Sequence, residues 1–206
     1  MSKKILIATH NQHKLQEIRA ILQGFPVELC SMDEFPNVKE AEENGNSYEE
    51  NAIIKAKYAS LATGLSCLGD DTGLEVDALQ GAPGLHSARF AGVTGEGRYP
   101  ANNEKLLRLL KDLPKEKRTA QFVCTVAWVY QDQVWMICRG VCHGTILFER
   151  QGTRGFGYDC LFEVQGMHQA FAELPDQLKN SISHRALAFQ EFHRRFMAEN
   201  WLLKMK

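Results

Sequence analysis

Apolar positions along this chain come in short runs separated by stripes at helical spacing, and the two periods alternate from the first residues onward. Residues 3–9 form a short apolar run that predicts a buried strand. Beyond His10-Asn11 the period changes, because Leu15, Ile18 and Leu22 share one helical face, and Gly24 with Pro26 stops that helix. Residues 27–31 read as a second strand and residues 33–46 as an acidic loop containing Pro and Asn. Ser47-Tyr48-Glu49-Glu50 has the capping-box pattern and opens a helix with Ala52, Ala56, Ala59 and Thr63 along one stripe. Gly64 ends this helix, and the apolar segment 65–68 predicts a third strand that delivers Asp70-Asp71-Thr72-Gly73 at its end.

The second half continues less regularly. Residues 81–97 are glycine-rich, contain Pro83 and read as a functional or linking loop. Pro100 starts a helix with Leu106, Leu107, Leu110 and Leu113 inward, ended by Pro114. Residues 119–130 and 134–143 predict a hairpin around Gln131-Asp132-Gln133. A second glycine-rich stretch, 152–157, precedes a strand at 160–164, and a last helix starts near Ser183 and carries Leu187, Phe192 and Phe196. The order βαβαβ, hairpin, βα predicts an α/β protein with a mixed central sheet flanked by helices.

Composition narrows this picture. A chain of 206 residues is long enough for a single well-cored domain spanning 1–206, with room for two lobes. Its 24 basic and 25 acidic residues give a formal charge of −1, so no nucleic-acid partner is implied, although a local basic pocket for a small anion is compatible with it. Met1-Ser2-Lys3-Lys4 precedes only four clearly apolar residues, and the longest apolar run, 124–130, is far short of a membrane span. These features predict a cytoplasmic protein without a membrane partner. The six cysteines show no C-x-x-C pair, and on a strand Cys138 and Cys142 would stand ~13 Å apart, beyond disulfide reach. Reduced thiols follow.

Five clusters carry candidate chemistry. Asp70-Asp71 places two like charges together, which is costly unless a cation intervenes, so the pair points to Mg²⁺ beside a phosphate-bearing substrate. A solvated turn closed by Gly73 is the plain alternative. Thr9-His10-Asn11-Gln12-His13-Lys14 lies at a strand-to-helix junction, where unpaired N–H groups and a lysine suit phosphate, or where Asn11 serves simply as a helix cap. Glutamates from Glu40, Glu42, Glu43, Glu49 and Glu50 are candidates to complete a metal shell with Asp71. Gly155-Phe156-Gly157-Tyr158-Asp159 offers close backbone approach and an aromatic face for a base, and Lys179 with Ser183-His184-Arg185 offers donors for keto oxygens or phosphate. No zinc-ligand spacing, Walker loop or nucleophile elbow is found.

Taken in order, these segments resemble the inosine triphosphate pyrophosphatase, or Ham1-like, family. The matching stretches are Thr9 to Lys14, Ser47-Tyr48-Glu49-Glu50-Asn51-Ala52 with Lys55-Ala56, and Asp70-Asp71-Thr72-Gly73-Leu74-Glu75-Val76-Asp77-Ala78-Leu79. They continue with Gly81-Ala82-Pro83-Gly84, Ser87-Ala88-Arg89, Gly155 to Asp159, and Ser183-His184-Arg185. The resemblance implies Mg²⁺-dependent hydrolysis of ITP, dITP and XTP to the monophosphate and pyrophosphate. It also implies an ITPase-like α/β fold with an elongated mixed sheet, two lobes around an active-site cleft, and a homodimer. By the same resemblance, substrate would meet Thr9, His10, Asn11, Gln12, His13, Lys14, Thr72, Phe156, Gly157, Tyr158, Asp159, Lys179, His184 and Arg185, the last two reading the base. Asp71 would be the catalytic carboxylate and a Mg²⁺ ligand, with a glutamate of the Glu42-Glu43 pair, Glu42 preferred, as the second. Two departures stand out: Cys160 follows Gly-Tyr-Asp where the family usually has Pro, and Thr72 replaces the commoner Ser while keeping its hydroxyl. A nucleotide sensor without turnover, or a pyrophosphatase of modified pyrimidine nucleotides, are the competing readings.

Overall fold

The computed structural model describes residues 3–204. Met1 and Ser2, which belong to the start considered above, lie outside them. Six strands form a mixed sheet in the order β2-β1-β3-β4-β5-β6. Their ranges are β1 Lys4–Ile7, β2 Glu28–Ser31, β3 Ser66–Val76, β4 Thr119–Tyr130, β5 Gln133–Ile146 and β6 Phe162–Val164. The helices are α1 Gln12–Ile21, α2 Tyr48–Thr63, α3 Arg98–Leu109, α4 Asp176–Ile182, α5 His184–Ala198 and α6 Trp201–Lys204. Contacts divide the chain into two compact units, one of residues 1–71, 124–140 and 185–206, the other of 72–123 and 141–184. No helix among the described residues is long and apolar enough to cross a membrane.

In the first unit β1 pairs in parallel with both β2 and β3. Period-two alternation sorts the strand side chains into two cores. Ile5, Ile7, Leu68, Cys124, Val126 and Trp128 pack with Leu15 and Ile18 of α1 and with Ala188, Phe189, Phe192 and Phe196 of α5. The intervening positions, Leu6, Cys67, Ala127 and Val129, pack on the opposite face against Ala52, Ala56 and Ala59 of α2. The alanine stripe read from the sequence is therefore the contact surface of α2, and Gly64 closes that helix in the left-handed conformation at φ 72°. Because α1 follows β1 and α2 precedes β3, and they cover opposite faces, the order reverses between β1 and β3. Such a switch point, at the carboxyl ends of parallel strands, is where open α/β sheets bind ligands.

The second unit buries one core, in which Leu74, Val76, Phe122, Ile146 and Phe162 meet Leu106 of α3 and Leu110, its C-cap. Arg118 is buried here and donates to the carbonyls of Leu110 (2.5 Å), Leu147 (2.6 Å) and Ile146 (2.7 Å), tying the end of α3 to the end of β5. Its guanidinium lies 4.4 Å from the centre of the Phe148 ring.

Several expectations need correction. The third strand does not stop at residue 68 but continues through the Asp-Asp pair to Val76, so these carboxylates are mid-strand. The hairpin turn is one residue shorter than expected, with Gln131 in the left-handed region at φ 54° and Gln133 already in β5. Segment 81–97 contains 3-10 turns at Gly84–Arg89 and Gly95–Gly97. α4 was not foreseen from the pattern, and Ser183 is its C-cap. On α5, Leu187 is 40% exposed, whereas Ala188, Phe189, Phe192 and Phe196 are buried. All six cysteines are free, as expected.

Gly69 sets the spacing between β3 and α2, since a methyl group there would stand 2.3 Å from the Ala52 carbonyl oxygen and 2.8 Å from the Ala56 nitrogen. Both are backbone atoms of a packed helix and cannot turn aside. Gly69→Ala is expected to destabilise the protein by about 2 kcal/mol, in the range of overpacked cores, seen as a lower urea midpoint with unchanged slope.

Candidate functional site

β1 ends level with Leu68, its last registered partner, and Ala8 donates its backbone N–H to the Leu68 carbonyl at 2.8 Å. Asp70 and Asp71 therefore lie just beyond the end of β1, where the chain turns into α1. Alternation sends their side chains to opposite faces of β3: Asp70 continues the Leu68 face toward α1 and α5, and Asp71 continues the Cys67–Gly69 face toward α2. The costly side-by-side carboxylate pair inferred from the sequence does not form. Each aspartate meets its own cations instead.

On the first face, Lys14 in the opening turn of α1 pairs with Asp70 at 2.9 Å, and Arg185 in the opening turn of α5 approaches the same oxygen at 3.6 Å. Arg185 also holds Glu17 at 2.5 Å, one turn along α1 from Lys14. Asp70 and Arg185 are almost fully buried. Burial by itself would raise the Asp70 carboxyl, but the charges of Lys14, Arg185 and Lys55 outweigh it and hold the group well below the ordinary carboxylate range. Burial likewise opposes the charge on Arg185, and Glu17 and Asp70 more than restore it.

On the second face, Asp71 accepts from Lys55 at 2.8 Å and from the Asn51 amide at 3.3 Å, both on α2. Lys55 also reaches Glu43 at 3.3 Å. One ammonium thus stands between a carboxylate of the sheet and a carboxylate of the acidic loop. Burial would depress the Lys55 ammonium, and Asp71, Asp70 and Glu43 reverse the effect, so the group is held charged. The close approach that brings Lys55 to Asp71 is the one Gly69 permits.

The start of α1 is capped by Asn11, whose side-chain oxygen accepts from the backbone N–H groups of His13 (3.1 Å) and Lys14 (3.4 Å). Thr9 Oγ1 accepts from Asn11 N–H at 3.2 Å. The exposed His10 and Gln12 lean on the acidic loop, His10 Nε2 at 3.2 Å from the Val38 carbonyl and Gln12 donating to Asp33 at 3.2 Å. Of the glutamate pair, Glu43 meets Lys55, whereas Glu42 is exposed.

The second unit holds the remaining expected residues. Asp159 accepts from Phe156 N–H at 2.8 Å and pairs with the buried Lys179 of α4 at 2.5 Å. Gly155, at φ +72°, has no space for a side chain, because a Cβ would lie 2.1 Å from the Asp159 carboxylate. Asn103 of α3 donates to the Gly157 carbonyl at 3.0 Å and approaches Cys160 Sγ at 3.4 Å, and the Tyr158 hydroxyl donates to the Ser87 carbonyl at 2.9 Å. Phe156 remains partly exposed, its ring 5.3 Å from the Lys179 ammonium. His184 is buried and stacked on Phe122 at 4.6 Å.

The structure thus gathers Thr9, Asn11, Lys14, Asp70, Asp71 and Arg185 in the first unit and Phe156, Gly157, Tyr158, Asp159, Lys179 and His184 in the second. Sequence reasoning did not assign Glu17, Asn51 or Lys55 to the site. A signal existed for the last two: Asn51 and Lys55 lie four residues apart, on one face of a helix whose neighbouring stripe is alanine.

Carboxylates and lysines gather at a helix N-terminus and a sheet switch point of an α/β protein. The chain belongs to the Ham1 family, whose pattern matches residues 5–195. A dITP/XTP pyrophosphatase of Geobacter sulfurreducens is 47% identical over 192 residues, covering 92% of this chain and 96% of the relative. One of Pseudomonas syringae pv. tomato is 49% identical over 187 residues, covering 90% and 92%. Among solved structures, a Ham1 protein of Coxiella burnetii superposes with a TM-score of 0.85 at 36% identity, covering 95% of this chain and 98% of that one. The chain is accordingly an enzyme, a hydrolase.

The Asp70 ion pairs fix the sign of the acid response. A carboxyl held below its unfolded value contributes stability that is present above the unfolded value and is lost as pH falls through the folded one. The urea midpoint should therefore fall as pH drops below about 4, the unfolded aspartate value. Asp70→Asn should cost about 3 kcal/mol at neutral pH, the typical effect of breaking a buried ion pair, and should show a shallower acid decline than the parent protein.

Proposed function

We propose that this chain hydrolyses ITP, dITP and XTP to the monophosphate and pyrophosphate in a Mg²⁺-dependent reaction, clearing deaminated purines from the nucleotide pool. The names of the relatives support the substrate class. The observation that carries the reading is the pair of oppositely directed aspartates, Asp70 holding Lys14 at the start of α1 and Asp71 facing Lys55 and Glu43.

The donor set fits a hard divalent cation. Asp71 and Glu43 present carboxylate oxygens to one shared positive charge, and Mg²⁺ commonly takes one or two carboxylates and completes its shell with phosphate and water. Asp71 would hold the ion together with Glu43, which its contact with Lys55 supports over Glu42. When bound, Mg²⁺ supplies charge neutralisation on the departing pyrophosphate. The rest is done by the chain. Asn11 spends its oxygen on the helix cap, so its amide N–H₂, the Thr9 hydroxyl and the Lys14 ammonium are the groups it offers to phosphate oxygens. Asp70 keeps Lys14 extended toward that position. Asp71 accepts a proton from the attacking water as the bond at the α-phosphorus breaks.

In this reading Phe156, Gly157, Tyr158, Asp159 and Lys179 contact the nucleotide, and His184 and Arg185 read the base. Inosine and xanthine present a 6-keto oxygen where adenine has an amino group, and a buried donor aimed at that oxygen is left unpaired by ATP. The chain would act as one ITPase-like unit, a homodimer in the cytoplasm.

Pyrophosphate release from ITP, XTP, GTP, ATP and dUTP in the presence of Mg²⁺ tests the reading. ITP and XTP should be turned over in strong preference, and Asp71→Asn should lower the rate by at least about a hundredfold while leaving the melting transition cooperative. Orthophosphate in place of pyrophosphate, or a folded Asp71→Asn enzyme with substantial activity, would overturn the mechanism.

A further inference from the structure

Lys55 stands between two carboxylates, one on β3 and one on the acidic loop. Its ammonium lies 2.8 Å from Asp71 Oδ1 and 3.3 Å from Glu43 Oε1, and its side chain is only 10% exposed. Resting on the reading above, we propose that Lys55 is an internal placeholder cation: it occupies the gap between Asp71 and Glu43 in the nucleotide-free enzyme, competes directly with the divalent ion, and leaves for the triphosphate when ion and substrate bind together.

Three observations carry this. First, Asp71 is buried, and a buried carboxylate without a neighbouring positive charge is strongly disfavoured, so this position needs a cation, and Lys55 is positioned by α2 to be it. Second, the acidic loop does not depend on Lys55 alone for its place. Gln12 holds Asp33, His10 meets the Val38 carbonyl, and Asn51 accepts from Gly45 N–H at 2.9 Å, so the loop keeps anchors on both sides of Glu43 when Lys55 departs. Third, a displaced ammonium must find another anion at once. The Asp70 carboxylate on the other face is already paired with Lys14 and Arg185, so the incoming triphosphate is the anion the reaction itself provides for Lys55.

The consequence is energetic coupling. Divalent ion alone must eject Lys55 from both of its carboxylates without bringing it a new anion, and so binds weakly. Triphosphate receives Lys55 and therefore strengthens ion binding, and by linkage the ion strengthens triphosphate binding by the same factor. The gap exchanges one cation for another instead of standing open, so the enzyme gains its metal chiefly when substrate is present.

The test is Mn²⁺ binding by calorimetry or electron paramagnetic resonance, with and without inosine α,β-methylene triphosphate, on the parent protein, Lys55→Met and Lys55→Gln. Removing the placeholder should tighten Mn²⁺ binding in the absence of nucleotide by about 5- to 100-fold, and should shrink the enhancement that the analogue gives in the parent. On the unaltered protein, the Lys55 ammonium signal in nitrogen-15 NMR should shift on addition of Mg²⁺ with the analogue, a readout that does not rely on either variant folding. Mn²⁺ affinity unchanged or weaker without Lys55, or an unmoved ammonium signal at saturation, overturns the placeholder. If Asp71→Asn leaves Mn²⁺ affinity unchanged, the metal reading itself fails, an outcome distinct from failure of the placeholder alone.

Discussion

Side chains alternate along a β-strand, and β3 carries two aspartates at successive positions beyond the end of its neighbour β1. One carboxylate must therefore point to each face of the sheet. Everything at the site of the first unit follows from that. The face toward α1 and α5 supplies Lys14 and Arg185 to Asp70, and the face toward α2 supplies Lys55 and Asn51 to Asp71. The layers that bury the two hydrophobic cores are the same layers that deliver the charges, so packing and electrostatics are set by one geometry.

That geometry explains why small residues line α2 and why Gly69 faces it. A lysine side chain cannot reach a buried carboxylate across a wide gap, and any side chain at position 69 would push the helix away. The alanine stripe and the glycine together bring the helix close enough for Lys55 to meet Asp71. Buried charges are tolerated only when paired, and here each is. Arg185 extends the pairing to Glu17, joining the second turn of α1 to the first turn of α5 through a single guanidinium.

The second unit uses the same device for a different purpose. Lys179 and Asp159 form a buried pair that fixes the glycine-rich loop, with the Asp159 carboxylate also accepting from Phe156 N–H and Gly155 leaving space for it. Asn103 and Tyr158 fasten the loop further through carbonyl oxygens. Cys160, in the place of the family's usual proline, lies beside Asn103 within this network. The loop that presents Phe156 is held by polar contacts on several sides.

Much of the fold was legible because it depends on local rules. Periodicity marked β1, α1, α2 and the long hairpin, Ser47 and Gly64 marked the ends of α2, and the Asn11 cap followed from its place before a helix. The sequence order of the motifs was enough to indicate the family. What it could not show was how far β3 extends, since Gly69, Asp70, Asp71, Thr72 and Gly73 read as turn chemistry, and only strand pairing and packing on both faces keep them extended. Nor could it show that Asp70 and Asp71 face apart, that Glu43 instead of Glu42 meets Lys55, or that Glu17 is joined to Arg185 from 168 residues away. The sequence by itself determined the elements, their caps and the residues able to carry charge. Tertiary structure alone decided which charges meet, because an ion pair is set by distance across packed layers, and residue order carries no measure of that distance.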